Sequence, residues 1–136
     1  MTVPHTPILK RTVAYYMAFA AFGLGSASLG PTLSALADQT DSHLSIISSL
    51  FVSRSLGYLL GIFLSSRLFD RITGHPLMTL GIVLEAAVLA TVPLLPSVAT
   101  LAAAMIAMGV AEGTIEVGGN ALLVRNHARN LAPYMN

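Results

Sequence analysis

The chain has 136 residues, 54% hydrophobic and only 10% charged, with a mean hydropathy of +0.75 and a formal net charge of +1. An average soluble domain is about 25% charged, so a chain this apolar cannot cover its surface with polar groups in water, and a bilayer is the solvent that removes the conflict. Its scattered Lys and Arg exclude a nucleic-acid-binding stripe, the lack of cysteine excludes disulfides and thiolate metal sites, and His5, His43, His75 and His127 have no metal-ligand spacing.

Four segments carry the roughly 20 apolar residues that a membrane-spanning helix needs. The first is predicted over Thr12–Leu36, after a short flank of residues 1–11. Lys10, Arg11, the apolar run and the small residues of SALAD also resemble a signal peptide. The apolar run, however, exceeds the roughly 7–15 residues of a signal core, which predicts a retained span. The polar turn ADQTDSH then offers Asp41 or Ser42 as a cap for the second span, predicted over Leu44–Phe69. DRITGHP, with its charges, Gly74 and Pro76, separates that from a third span over Pro76–Leu95, which Pro93 and Pro96 close. The fourth runs over Val98–Val124, and residues 125–136 form a tail. The short connections predict that consecutive spans are antiparallel neighbours. Every Lys and Arg except Arg54 falls at one end of this arrangement: Lys10, Arg11, Arg67, Arg71, Arg125 and Arg129. By the positive-inside rule both termini are cytoplasmic.

Helices in lipid associate through small residues, because lipid supplies no hydrophobic drive. Gly57, Gly61 and Ser65 recur every fourth residue in the second span, as do Gly109 and Gly113 in the fourth. These predict close packing. The polar residues of MGVAEGTIEVGGNALLVR carry more information. At about 100° per residue, Gly109, Glu112, Gly113, Glu116 and Asn120 share one face. A carboxylate at the bilayer centre costs at least about 2.5 kcal/mol, so that face lines a cavity or meets another polar helix. Glu116 and Glu112 are candidate proton carriers; the competing role for each is a structural glutamate paired with a basic residue. Arg54 and Glu85 also lie near the midplane. Arg54 can pair with Glu85 or Glu112, either structurally or to help substrate binding and coupling. No nucleophile–base pair, phosphate loop or metal cluster suggests an enzyme.

The second-to-third junction reads GYLLGIFLSSRLFDRITGHPLM. It resembles the loop signature of the major facilitator superfamily, in which a small and a basic residue precede an Asp-Arg pair, a glycine and further basic residues. Arg67, Asp70, Arg71 and Gly74 match that pattern. Ser66 replaces its usual glycine, Thr73 is inserted, and His75-Pro76 replaces the basic pair. The resemblance implies a latch in which Asp70 lies near a helix N-terminus of the transporter's other half, a placement the helix dipole favours. FGLGSASLGPTLSALA is similar to the first span of the sugar-transporter branch that includes sodium-dependent glucose transporters and fucose-permease-like proteins. Glu116-x-x-x-Asn120 is similar to a signature of sugar–proton symporters there. These likenesses imply that Glu116 binds the coupling proton and that Asn120 hydrogen-bonds a sugar hydroxyl or orients the glutamate; sodium coupling is the alternative.

The expected fold is therefore an all-α membrane protein whose four helices correspond to the first four of a twelve-helix fold. Transporters of that kind are built from three-helix inverted repeats, with the site between two six-helix halves. The chain is expected to be the N-terminal part of such a transporter, resident in a plasma or inner membrane. The expected partners are the lipid bilayer, a small solute such as a sugar, and either missing C-terminal helices or a second copy; no cofactor is expected beyond a coupling proton or sodium ion. Two other readings stay open: a four-span transporter working as a homodimer, and a non-transporting assembly subunit.

Overall fold

A computed structural model describes the backbone of residues 6–69, 71 and 74–126 and the side chains of residues 12–69, 71 and 74–125. In chain order the elements are α1 (Thr6–Gln39), α2 (Leu44–Ser48), α3 (Leu50–Phe69), α4 (Gly74–Thr91), a 3₁₀ turn (Val92–Leu94) and α5 (Val98–Asn126). They supply four candidate membrane spans: α1 from Thr12, α2 with α3, α4 with the 3₁₀ turn, and α5 to Arg125. The chain is an integral, multi-pass membrane protein. Its four spans point large apolar side chains outward, among them Leu24, Leu59, Val83 and Leu94, as contact with lipid or with further helices requires.

α1 is longer than the sequence pattern alone suggests. It runs for 34 residues, about 50 Å at 1.5 Å per residue. Pro31 lies inside it without ending it. A proline removes one backbone donor, and nearby hydroxyls engage the surrounding carbonyls: Thr32 donates to Ser28 (2.9 Å) and Leu29 (3.1 Å), and Ser28 donates to Gly25 (2.7 Å). Ser and Thr serve proline-containing membrane helices in this way.

The expected cap of the second span is not found. His43 is the N-cap residue of α2, and its side chain makes no capping bond. Asp41 instead takes the left-handed conformation that reverses the chain, with φ at 48°, a conformation Asp tolerates better than most residues. The Ser42 hydroxyl turns back to the Thr40 carbonyl at 3.0 Å. The second span also tightens at Ser49, whose N–H and hydroxyl both donate to the Ile46 carbonyl, at 3.0 and 2.6 Å. That shared acceptor divides α2 from α3 while the path continues.

At the far end of α4, Pro93 is the second residue of the 3₁₀ turn. Gln39 from the end of α1 donates its amide to the Val92 and Leu95 carbonyls, at 3.1 and 2.6 Å, which a terminating helix leaves free. α5 then starts on a reciprocal cap. The Ser97 hydroxyl accepts the Thr100 N–H, and the Thr100 hydroxyl accepts the Ser97 N–H, each at 3.3 Å. Gln39 thus ties the first and third connections together at one end of the bundle. At the other end the Tyr15 ring lies 5.9 Å from the His75 ring, placing the start of the first span beside the second connection.

The spans are not arranged simply in sequence order. α5 packs against α3, α4 and α1, whereas α3 and α4 barely meet. The fourth span is the most deeply buried of the four, which makes it the central helix. The expectation that consecutive spans are neighbours therefore fails for the second and third. The cause is the glycine pattern. A Cβ on Gly57 would run into the Ile106 carbonyl, and one on Gly61 would lie 2.5 Å from the Val110 carbonyl oxygen. From the other side, Gly109 lies against the Arg54 carbonyl, and a Cβ on Gly113 would lie 2.6 Å from that of Tyr58. Backbone touches backbone, which maximises the dispersion contacts that hold helices together in lipid. On the opposite flank Gly81 of α4 meets Ile115 of α5.

Gly109→Ala is expected to destabilise the protein by about 1–3 kcal/mol, the usual cost of overpacking. Gly118→Ala should be tolerated, since its new methyl would sit 3.4 Å from Met78, in ordinary contact. Thermal unfolding in detergent checks the contrast, and equal midpoints for the two variants would refute the backbone-contact account.

Candidate functional site

The glycine contact determines where polar side chains can meet. Residue numbers rise together along the α3–α5 seam, from Gly57 against Ile106, through Gly61 against Val110, to Ser65 bonded to Thr114 at 2.8 Å. The two helices are therefore parallel and in register every four residues. A second row, on the rim of the seam, follows the same step. Arg54 pairs with Glu112, and one turn later the Tyr58 hydroxyl donates to the Glu116 carboxylate. A further step of the same spacing would call on residue 62, an isoleucine, to partner Asn120. Isoleucine offers no polar partner, and Asn120 is exposed.

Arg54 resolves the choice the sequence left open: its partner is Glu112. Its Nε reaches the two carboxylate oxygens at 3.1 and 2.9 Å, and Nη2 reaches Oε1 at 2.6 Å. The remaining donors turn to α1, where Nη1 bonds the Ser26 carbonyl at 3.3 Å and Nη2 also bonds the Ser26 hydroxyl. The Glu112 side chain is 3% exposed and that of Arg54 14%. A bidentate, charge-assisted pair with its spare donors satisfied is the arrangement in which a buried ion pair offsets its desolvation cost. It also ties three spans together through one guanidinium.

Both members of this pair line a cavity of about 230 Å³, together with Phe22, Ser26, Phe51, Ser55 and Tyr58. Ligand pockets usually hold about 300–1,000 Å³, so this recess has the scale of one wall of a site. It combines aromatic faces with hydroxyls and a fixed charge pair, a mixture suited to a small polar molecule. A separate crevice of about 310 Å³ lies between α1, α4 and α5. Its lining is mostly apolar, including Leu29, Leu36, Leu89, Met105 and Met108, and none of the expected site residues reaches it.

The four expected solute-site residues thus fall into two groups. Arg54 and Glu112 are joined at the back of the recess. Glu116 is half-buried one turn further on, and Asn120 is exposed beyond it. The loop residues lie elsewhere, since Arg67 is about 20 Å along α3 from Arg54. Its guanidinium stacks on Phe63 at 4.2 Å from the ring centre. Arg71 is exposed, and Gly74 is buried where a Cβ would lie 2.6 Å from the Phe69 ring. Asp70 lies outside the described residues, as do the side chains of Lys10, Arg11 and Arg129. Sequence reasoning missed Ser26 and Tyr58. Ser26 sits in a run of small residues and is indistinguishable there from a packing residue. Tyr58 had a usable signal: it is four residues after Arg54, as Glu116 is four after Glu112.

The chain matches the family model described as Major Facilitator Superfamily over residues 15–132. It is 36% identical over 124 residues to sodium-dependent glucose transporter 1 of Rattus norvegicus, covering 91% of this chain and 26% of that protein. Against sodium-dependent glucose transporter 1 of Xenopus laevis it is 35% identical over 109 residues, 80% of this chain and 22% of that protein. Against major facilitator superfamily domain-containing protein 4A of Homo sapiens it is 36% identical over 129 residues, 93% of this chain and 25% of that protein. The chain spans about a quarter of the length of these curated relatives. No solved structure matches it.

Proposed function

The chain belongs to the major facilitator superfamily, and on that premise we propose that it forms the first four spans of a transporter for a small polar solute of the sugar class, working by ion-coupled alternating access. The observation that carries this reading is the polar row on the α3–α5 rim: Glu116, half-open and held by Tyr58, one turn above the Arg54–Glu112 pair and one turn below Asn120. Glu116 takes up and releases the coupling proton. Tyr58 donates to the ionised carboxylate, and protonation removes the charge that holds this bond. Asn120 presents both amide donors and a carbonyl acceptor, the set a sugar hydroxyl needs. Helices outside these 136 residues complete the opposite wall, in keeping with relatives about four times as long.

The charge distribution supports the sidedness of the reading. The end bearing Arg67, Arg71 and Arg125 is cytoplasmic by the positive-inside rule. The second connection then lies on that side, where Asp70 and Arg71 are assigned the latch; Arg67 stacks on Phe63 at its α3 flank, and Gly74 leaves room for the Phe69 ring.

Uptake of labelled hexoses into vesicles holding the native protein, under an imposed pH or sodium gradient, tests the proposal. Uptake driven by one gradient and blocked by excess cold hexose is the expected result; no hexose dependence under either gradient would sink the sugar reading. Asn120→Ala is expected to weaken hexose binding about tenfold, the equivalent of one or two hydrogen bonds at about 0.5–1.5 kcal/mol each. An unchanged affinity would remove Asn120 from the binding site.

A further inference from the structure

Of the three glutamates in the spans, Glu85 alone belongs to neither pair on the α3–α5 rim. Glu85 lies in the middle of α4 and is 5% exposed. Its Oε1 is buried without a hydrogen-bond partner. The carboxyl occupies the space left by the missing side chain of Gly25 in α1, where a Cβ would lie 2.6 Å from Oε1 and 3.3 Å from the Leu89 side chain. The seam between the first and third spans is thus closed directly over a carboxyl group.

The charged groups that act on Glu85 are Glu112 from α5 and Arg54 from α3. Between Thr12 and Ala37, α1 contributes no Asp, Glu, Lys, Arg or His. Among the described residues Arg54 is the one cation that acts on Glu85, and its donors are committed to Glu112 and to Ser26. An ionised Glu85 would therefore be a bare charge in an apolar seam, beside a second carboxylate whose charge Arg54 already balances. Uncompensated buried charges neutralise by taking a proton. A neutral acid leaves an oxygen that needs no cation and can rest against a glycine backbone.

We propose that Glu85 is a proton-binding site separate from Glu116, held as a neutral carboxylic acid in the closed seam between the first and third spans, and ionised only when that seam opens. On opening, the O–H bond of the carboxyl breaks and its proton passes to water entering between α1 and α4. On closing, the carboxylate takes a proton back from water. The seam thereby becomes pH-responsive: raising pH favours the open arrangement and lowering it favours the closed one. This rests on the surroundings of Glu85 alone, independently of the solute and of any role for Glu116.

Infrared spectroscopy of the native protein in lipid vesicles tests it, combined with spin-label distances between α1 and α4. Leu24→Cys and Val83→Cys give exposed label positions on the two helices. A carboxylic-acid C=O band is expected at neutral pH, absent from Glu85→Gln and retained in Glu116→Gln. Raising the pH should remove the band and lengthen the label distance over the same interval, and Glu85→Gln, which keeps the side-chain shape but cannot ionise, should abolish the distance change. No band sensitive to Glu85→Gln would overturn the proposal. So would a band that titrates with the distance unchanged, or one that never titrates, which would make Glu85 a buried structural acid. Should Glu85→Gln fail to fold, Glu85→Asp, one methylene shorter, is expected to keep the band and shift the pH at which it disappears.

Discussion

Arg54→Ala is expected to destabilise the protein by about 3–5 kcal/mol, the usual cost of stranding one member of a buried ion pair. The loss is this large because Glu112, 3% exposed on its side chain, would lose its ion-pair partner and would have to bear an uncompensated buried charge or take up a proton to remove it. Glu112→Ala strands Arg54 in the same way. Replacing both, as Arg54→Met with Glu112→Leu, is expected to recover most of the stability, since the two apolar side chains carry no desolvation penalty. Chemical denaturation of the single and double variants measures the coupling. A cost below about 1 kcal/mol for Arg54→Ala, the worth of an exposed pair, would contradict the buried network. The double variant also separates structure from function. If it is stable and still transports, the pair serves only to fasten α1, α3 and α5. If it is stable and inactive, the charges act on the solute or on coupling.

The spans were readable from hydropathy because lipid imposes a simple length rule, and the structure has four helices long and apolar enough to meet it. Their packing was readable in part. The recurrence of Gly57, Gly61, Gly109 and Gly113 signalled close approach, but two glycine faces do not state that they face each other. The short second connection argued for a different neighbour. Loop length constrains which ends are adjacent, while backbone contact determines which faces are, and the second effect placed α5 between α3 and α4. At the site, the helical period put Glu112, Glu116 and Asn120 on one face. It could not choose between Glu85 and Glu112 as the partner of Arg54, because depth in the bilayer fits both equally. The choice depends on lateral position, which follows from the glycine register. Ser26 was illegible for a related reason. A serine that bonds a guanidinium and one that merely packs are the same residue in sequence, and what separates them is the helix across the seam.

Glu116→Gln is expected to abolish accumulation of solute against its gradient while leaving exchange across the membrane near the wild-type rate. Gln keeps the size of the side chain and can still accept from Tyr58 through its carbonyl, so the rim of the α3–α5 seam should survive. What it loses is the ability to change charge. Alternating access needs no proton to carry solute in both directions, but net uphill movement needs the ion's free energy to enter each cycle. Uptake and counterflow measured on the same vesicles distinguish the two. Loss of accumulation alone supports Glu116 as the coupling group. Equal loss of both activities in a folded protein would make Glu116 structural, its task being to hold Tyr58. A sodium gradient supplies the complementary arm. If sodium drives uptake in the wild type and pH does not, Glu116→Gln should raise the sodium concentration needed for half-maximal uptake, because an amide offers a neutral oxygen where the carboxylate offers charge. Unchanged sodium dependence in that variant would place the coupling ion elsewhere in the protein.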